Sequence, residues 1–399
     1  MRLSPATKLR ATVALLACTL LRAHPLQAQQ PDTVSIQTTT QERLDSEPWW
    51  PTKSTLPLNT FAGSAACVRC HKDEASTTPM QRAAVTAADA TFLKARPAQS
   101  FSSRPFTYSL ASTPTGIDYT VADGPHRLSR KLDWVMGAGL MGRTFLYQID
   151  GQWYQSQLTY YTALSALDIT TGLPPDISNA PATHLTSALG QPLSPDDTRR
   201  CFNCHTVHST TSQGFNPLHA EAGLGCEACH GPGLAHATQM SANPGPHPNL
   251  SNIFNPAKLS PVDSNDFCGA CHRSFADASQ SIAQVQASST AIVRFQPYRL
   301  EESRCWRESL QTQGAQEVTC VACHNPHQPL DKNLASYDKH CLQCHSGSTS
   351  TTTHSANVCP KATSQCVTCH MPKVNVPSMH GDFTDHYIRV VHPNEGFPQ

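Results

Sequence analysis

The 399-residue chain is short of charge, aromatics and ordinary core-formers. Charged residues make up 15%, and 29 Lys+Arg are balanced by 29 Asp+Glu. No long basic run occurs, which excludes nucleic-acid binding as the main role. Aromatic residues are 7%, hydrophobic residues of every kind 39%, and 31 prolines interrupt the chain. Side chains alone therefore furnish a poor core, and something else with a large apolar surface is expected to fill part of the interior. Past the N-terminus no apolar stretch is long enough to span a bilayer.

The N-terminus reads as an export signal at residues 1–28. Arg2, Lys8 and Arg10 precede the apolar run Ala11 to Leu21, and cleavage fits after Ala28. A second reading takes Leu15-Leu16-Ala17-Cys18 as a lipoprotein box, with Cys18 carrying a lipid anchor. The expected location is the periplasm, or the outer membrane if Cys18 is lipidated.

Cysteine and histidine are what the chain has in excess, 17 and 20 residues. Fourteen of the cysteines fall in seven Cys-x-x-Cys-His motifs: Cys67/Cys70/His71, Cys201/Cys204/His205, Cys226/Cys229/His230, Cys268/Cys271/His272, Cys320/Cys323/His324, Cys341/Cys344/His345 and Cys366/Cys369/His370. Positions i, i+3 and i+4 share one face of a helical turn. Two thiols so placed add to the two vinyl groups of a haem edge, and the adjacent imidazole reaches the iron. A zinc or redox use of Cys-x-x-Cys does not require the fifth residue to be His. At a His frequency of about 5%, seven coincidences have odds of roughly one in 10⁹. The expected cofactor is haem c, seven copies, covalently attached. Their propionates would add roughly seven to fourteen negative charges, giving an acidic holoprotein suited to a more basic redox partner. Of the three remaining cysteines, Cys18 lies in the signal; Cys305 and Cys359 fit either a disulfide or two buried thiols.

A haem with two protein ligands carries electrons, whereas one with a single ligand can bind small molecules. His208 and His327 follow a motif histidine by three residues. From that position each can reach a neighbouring haem's iron but not its own. His236, His354, His380 and His386 complete the candidate sixth ligands, and each also has the ordinary alternative of a hydrogen-bonded surface histidine. His126, His184, His219, His247, His340 and His392 are weaker candidates. Met80, nine residues after His71, fits a thioether ligand or a core methionine.

The chain divides into the signal, a Thr/Ser/Gln/Pro-rich linker at 29–60, a first haem segment at 61–104, a β-rich insertion at 105–165, a Pro-rich loop at 166–198 and a six-haem domain at 199–399. Alternating β-branched and aromatic residues around Asp150-Gly151 mark the insertion as a small antiparallel sheet with a two-residue hairpin. The fold class expected is mainly α with much irregular loop, a multihaem cytochrome c arrangement, plus this small β insertion.

Several segments make the chain resemble multihaem cytochromes c of the superfamily that holds the tetrahaem cytochrome of hydroxylamine oxidation, the hydroxylamine oxidoreductases and the pentahaem nitrite reductases. They are Gly63-Ser64-Ala65-Ala66-Cys67, Met136-Gly137-Ala138-Gly139, Gly142-Arg143-Thr144-Phe145-Leu146 and the run Gly225 to Gly233. Arg294 to Leu300, Cys369-His370-Met371-Pro372 and Thr384-Asp385-His386 complete the set. The resemblance implies closely stacked haems with mostly bis-histidine irons, and it supports His208, His236, His327 and His386 by position. Two departures matter. Nitrite reductases of the group carry lysine in one motif, whereas all seven motifs here end in His. Nothing marks Tyr160, Tyr161, Tyr298 or Tyr387 as the crosslinking tyrosine of the oxidoreductases. The function expected is electron transfer to and from other cytochromes or a quinol-oxidising membrane complex. The alternative is an oxidoreductase acting on a small nitrogen or sulfur compound at a five-coordinate haem.

Overall fold

The computed structural model describes residues 57–74, 78–174, 184–211, 214–243, 252–274, 290–311, 317–345, 359, 361–392 and 394–397. Cys18, the export signal, His247 and His354 lie outside them, as does the side chain of His184.

Ten strands build the first half of the described chain. They are β1 (Ala84–Thr86), β2 (Gln99–Ser103), β3 (Phe106–Thr113), β4 (Gly116–Asp123), β5 (His126–Lys131), β6 (Trp134–Met136), β7 (Gly142–Ile149), β8 (Gln152–Tyr161), β9 (Ala166–Ile169) and β10 (Gly190–Pro192). One antiparallel sheet has the order β2-β3-β4-β5; the other runs β1-β6-β7-β8-β10, with β9 also paired to β8. Period-two alternation sets their faces. Phe106, Tyr108 and Leu110 of β3 and Ile117, Tyr119 and Val121 of β4 point inward, where they meet Val135, Phe145, Tyr147, Leu158 and Tyr160 of the second sheet. Each such side chain contributes roughly 1.5–3 kcal/mol on burial. Asp150 and Gly151 join β7 to β8, with φ of 50° and 80°, the doubly positive pair that a two-residue hairpin needs.

Six shorter strands lie among the haem motifs: β11 (Thr206–Val207), β12 (Thr210–Thr211), β13 (Gly214–Phe215), β14 (Glu221–Ala222), β15 (Lys373–Val376) and β16 (Gly381–Thr384). They pair as β11-β14, β12-β13 and β15-β16. The expectation of a mainly α protein with a small β insertion is therefore overturned. Among the described residues sixteen strands form five sheets, against twelve α-helices of four to twelve residues. The physical reason is twofold. β10 is Gly-Gln-Pro and β2 is mostly Ser and Gln, and their neighbours make them strands. The short helices, in turn, are punctuated by the prolines and glycines between motifs.

All seven motifs lie on or at the end of a helix. The two longest, Pro195–His205 and Pro261–His272, start alike: Ser194 Oγ accepts from Asp197 N at 3.0 Å, Ser260 Oγ accepts from Asp263 N at 3.2 Å, and a proline follows each serine. Ser194→Ala is expected to cost about 1 kcal/mol, read as a lower midpoint in thermal unfolding, with Ser194→Gly costing less. Phe202, inside the second motif, is fully buried and meets Trp134, Trp153 and Phe215 edge-on at centroid distances of 5.3, 5.2 and 5.5 Å. That aromatic cluster fastens the helix carrying His205 to the larger sheet. Among the described residues no helix is long and apolar enough to cross a membrane.

Candidate functional site

An imidazole binds iron through one nitrogen when the other holds the proton. Backbone carbonyls fix that arrangement at three motif histidines. His205 Nδ1 donates to Ala83 O at 2.7 Å, His230 Nδ1 to Phe254 O at 2.8 Å, and His370 Nδ1 to Arg389 O at 2.8 Å. Each leaves Nε2 with its lone pair. Burial also lowers the pKa of His205, His272 and His324, which favours the neutral, metal-binding form.

Three motif histidines face a histidine from elsewhere in the chain. His71 and His236 have ring centres 6.4 Å apart, His230 and His327 6.0 Å, and His324 and His386 6.2 Å. A metal–imidazole nitrogen bond is about 2 Å, which puts the centres of two imidazoles on opposite sides of one metal roughly 6 Å apart. The spacing therefore fits an iron between each pair. Among the described residues no three His, Cys, Asp or Glu side chains converge to hold a metal ion on their own. Haem iron needs only two protein ligands, and the paired rings fit that requirement.

What holds the facing histidines in place follows from local sequence. His327 closes a turn in which Asn325 Oδ1 accepts from its backbone N at 3.0 Å, and its Nδ1 meets Glu74 Oε2 at 3.0 Å. Glu74 lies three residues after His71, so the first motif's segment holds the ring that faces the third motif's. His386 Nδ1 donates to Thr384 O at 3.1 Å, and burial, opposed in part by that bond, pushes its pKa down to about 4. On either side of His386 the chain is pinned. Ser303 Oγ donates to His386 O at 3.0 Å and accepts from Ile388 N at 2.7 Å, while Asp385 forms a two-pronged pair with Arg299 at 2.9 Å.

His208 faces no motif ring, yet it is prepared in the same way. The pairing of β11 with β14 brings Glu221 beside it, and Glu221 Oε1 lies 3.2 Å from its Nδ1. Its φ is 67°, and Asn203 Oδ1 accepts from Ser209 and Thr210 to secure the turn. Its Nε2 is buried without a partner and lines a cavity of about 310 Å³ with Ser64, Gln81 and Glu227. A buried nitrogen left unpaired is costly, so the site fits a ligand to that nitrogen. His380 is placed otherwise. Its Nε2 lies 2.9 Å from Asp168 Oδ2 and its ring meets Tyr161 edge-on at 4.6 Å. His354 lies outside the described residues. Among the weaker candidates, His126, His219 and His392 are exposed, and Met80 opens a 3₁₀ turn.

The motif thiols are brought together unevenly. Cys67 lies within hydrogen-bond reach of Cys226, Cys268 of Cys320, and Cys341 of Cys366. In each of these contacts it is the first cysteine of a motif that meets the first cysteine of another. The second cysteines differ in exposure. Cys70, Cys323, Cys344 and Cys369 are exposed, while Cys204, Cys229 and Cys271 are half-buried. Cys204 Sγ donates to a backbone oxygen in the fourth motif, Ala270 O, at 3.5 Å. Cys271 lies in the helix Pro261–His272, one residue before its end. Among the predicted iron ligands, His345, like His272, stands outside the three ring pairs. It is the last residue of the helix Asp338–His345, it is exposed, and among the described residues no second histidine ring faces it. Cys305 and Cys359 are separate thiols, not a disulfide. Sequence reasoning missed the polar side chains that join the motifs, Glu227, Asn265 and Asp338, as well as the Arg299–Asp385 pair. The one signal available was Glu227, the sole acidic residue inside any of the seven motifs.

The profile of the family described as cytochrome c554 and c-prime matches residues 178–231, which contain the second and third motifs and His208. The match supports a protein of the multihaem c-type cytochrome kind, with a haem-based electron-transfer or redox function. No curated protein and no solved structure matches the chain.

Proposed function

We propose that the chain is an exported seven-haem c-type cytochrome that relays electrons through mostly bis-histidine irons. The observation that carries this reading is the set of three histidine pairs at iron-sized spacing, each joining a motif histidine to one from a distant segment. Bound haem supplies a one-electron iron couple at each motif. The chain's own residues do the rest. The fourteen motif cysteines would hold the haems covalently, the motif histidines would offer Nε2 to iron, and His236, His327 and His386 would supply second ligands. His208 is assigned to a further iron, with Glu221 as its support. Carbonyl or carboxylate partners at Nδ1 hold His205, His230, His370, His386, His327 and His208 in one tautomer and raise their basicity. A location on the far side of the cytoplasmic membrane follows from the export signal. Other cytochromes or a quinol-oxidising membrane complex are the partners such a relay needs.

The test is the purified holoprotein. Haem stoichiometry by alkaline pyridine spectrum and intact mass is expected to give seven haems per chain, with a low-spin spectrum for most of the iron. A count set by fewer motifs would overturn the seven-haem reading. A strong high-spin band that shifts on adding nitrite or cyanide would favour the alternative of catalysis at an open iron.

A further inference from the structure

The thiol contacts group six motifs into three pairs, first with third, fourth with fifth, and sixth with seventh. Each pair is bridged by a polar side chain that lies in or beside one motif and reaches the other. Glu227, in the third motif, is 3% exposed. Its Oε1 accepts from Ala62 N at 2.8 Å and Gly233 N at 2.7 Å, and its Oε2 accepts from Gly63 N at 2.8 Å, on the approach to Cys67. Beside it, Ser64 Oγ accepts from Cys226 N at 3.1 Å. The approach is close enough that a Cβ at Gly225 would lie 2.3 Å from Ser64 Oγ.

Asp338 does the same for the last pair. It opens the helix that carries Cys341, and it is 7% exposed. Its two oxygens accept from Gln365 N at 2.6 Å and Cys366 N at 2.8 Å. Those two backbone donors hold its pKa below the ordinary carboxylate value. Between the fourth and fifth motifs the bridging group is an amide. Asn265 Nδ2 donates to Pro297 O and Glu301 Oε1, and Cys320 Sγ lies 3.9 Å from its Oδ1.

Two buried carboxylates stand at the seams where pairs of cofactor-bearing thiols touch. A fixed negative charge there favours the ferric over the ferrous state of the nearest irons, because the oxidised core carries one more positive charge. We infer that Glu227 and Asp338 are charged clamps: each locks two motifs into one dihaem cell and holds that cell's reduction potential down. This rests on the seven-haem reading above. Both act as positioning residues, and neither is an iron ligand.

Redox titration of the full-length holoprotein, followed in the visible spectrum, tests it. Glu227→Gln and Asp338→Asn should each move one or two of the one-electron couples upward, by about tenfold in the oxidised-to-reduced ratio or about 59 mV. Glu227→Asp and Asp338→Glu keep the charge and should leave the couples in place. Haem retained only by the charge-keeping variants would also support the clamp. A purely structural role predicts a different sign, since loosening admits water and lowers potentials. Equal behaviour of neutral and charge-keeping variants, or couples that stay put or fall in both neutral variants, would overturn the inference. Failure to find seven haems in the unmodified protein would instead overturn the reading it rests on.

Discussion

Replacing Asp385 by alanine is expected to destabilise the C-terminal haem region by about 3–5 kcal/mol, the cost typical of removing one member of a buried ion pair. Asp385 is 0% and Arg299 1% exposed. The carboxylate takes two bonds from Arg299 and a third, at 2.9 Å, from Arg389 Nη1, and its Oδ1 also accepts from Tyr387 N at 3.0 Å. The ring contacts of Arg299 with Tyr387 and Phe397, at 5.1 and 4.7 Å, remain. These are worth far less than the lost carboxylate. The denaturant midpoint of the purified holoprotein measures the loss. A spectroscopic effect should accompany it, because Asp385 directly precedes His386. As the segment loosens, the ring facing His324 should be lost and high-spin iron should appear. A midpoint unchanged within error would show that the pair is dispensable.

His327→Ala is expected to open one iron completely. In the proposed ligation His327 and His230 share that iron, and no other histidine in the described residues stands at His327's place. One haem's worth of the spectrum should change from low to high spin and should then bind cyanide or carbon monoxide. His327→Met should instead remain low-spin, with that couple raised by a sizeable part of the roughly 0.8 V range that axial ligands span. Glu74→Gln removes the carboxylate behind His327 Nδ1 and should produce a smaller upward shift without a spin change, since the ring would lose basicity but keep its place. A fully low-spin His327→Ala protein would refute the assignment of His327 to that iron.

Much of this was legible in the sequence where the signal is local. Motif spacing singled out His71, His230 and His324, each of which faces a second histidine, and alternation of Phe106, Tyr108 and Leu110 with Thr107 and Ser109 marked β3. Asp150-Gly151 marked the hairpin because few other dipeptides tolerate positive φ twice. What failed was whatever depends on distant neighbours. β10 is Gly190-Gln191-Pro192, a sequence with no strand propensity, and pairing with Tyr154 to Ser156 alone makes it a strand. The same limit governed the histidines. Three-residue spacing singled out His327 but could not say that it faces His230, nor that His380 would be taken by Asp168. Seven identical motifs likewise gave no hint that His71, His230 and His324 would each face a second histidine while, among the described residues, His345 would not. Buried polar joints such as Asp338 carry no local pattern at all. Their role appears only when residues far apart in sequence share a hydrogen bond.

The three histidine pairs have a common direction. In each, the motif histidine comes first along the chain, and its partner comes later: 71 then 236, 230 then 327, 324 then 386. A chain exported from its N-terminus would thus present every one of these motifs before the ring that completes it has emerged. Maturation becomes a sequence of deferred closures. In the proposed ligation, the haems of these three motifs would be held first by their own pentapeptides and closed only when a downstream stretch folds back, the last of the three at Thr384-Asp385-His386. A nascent or truncated chain would carry its newest irons open to solvent, and complete synthesis would be what turns a string of reactive haems into a closed relay.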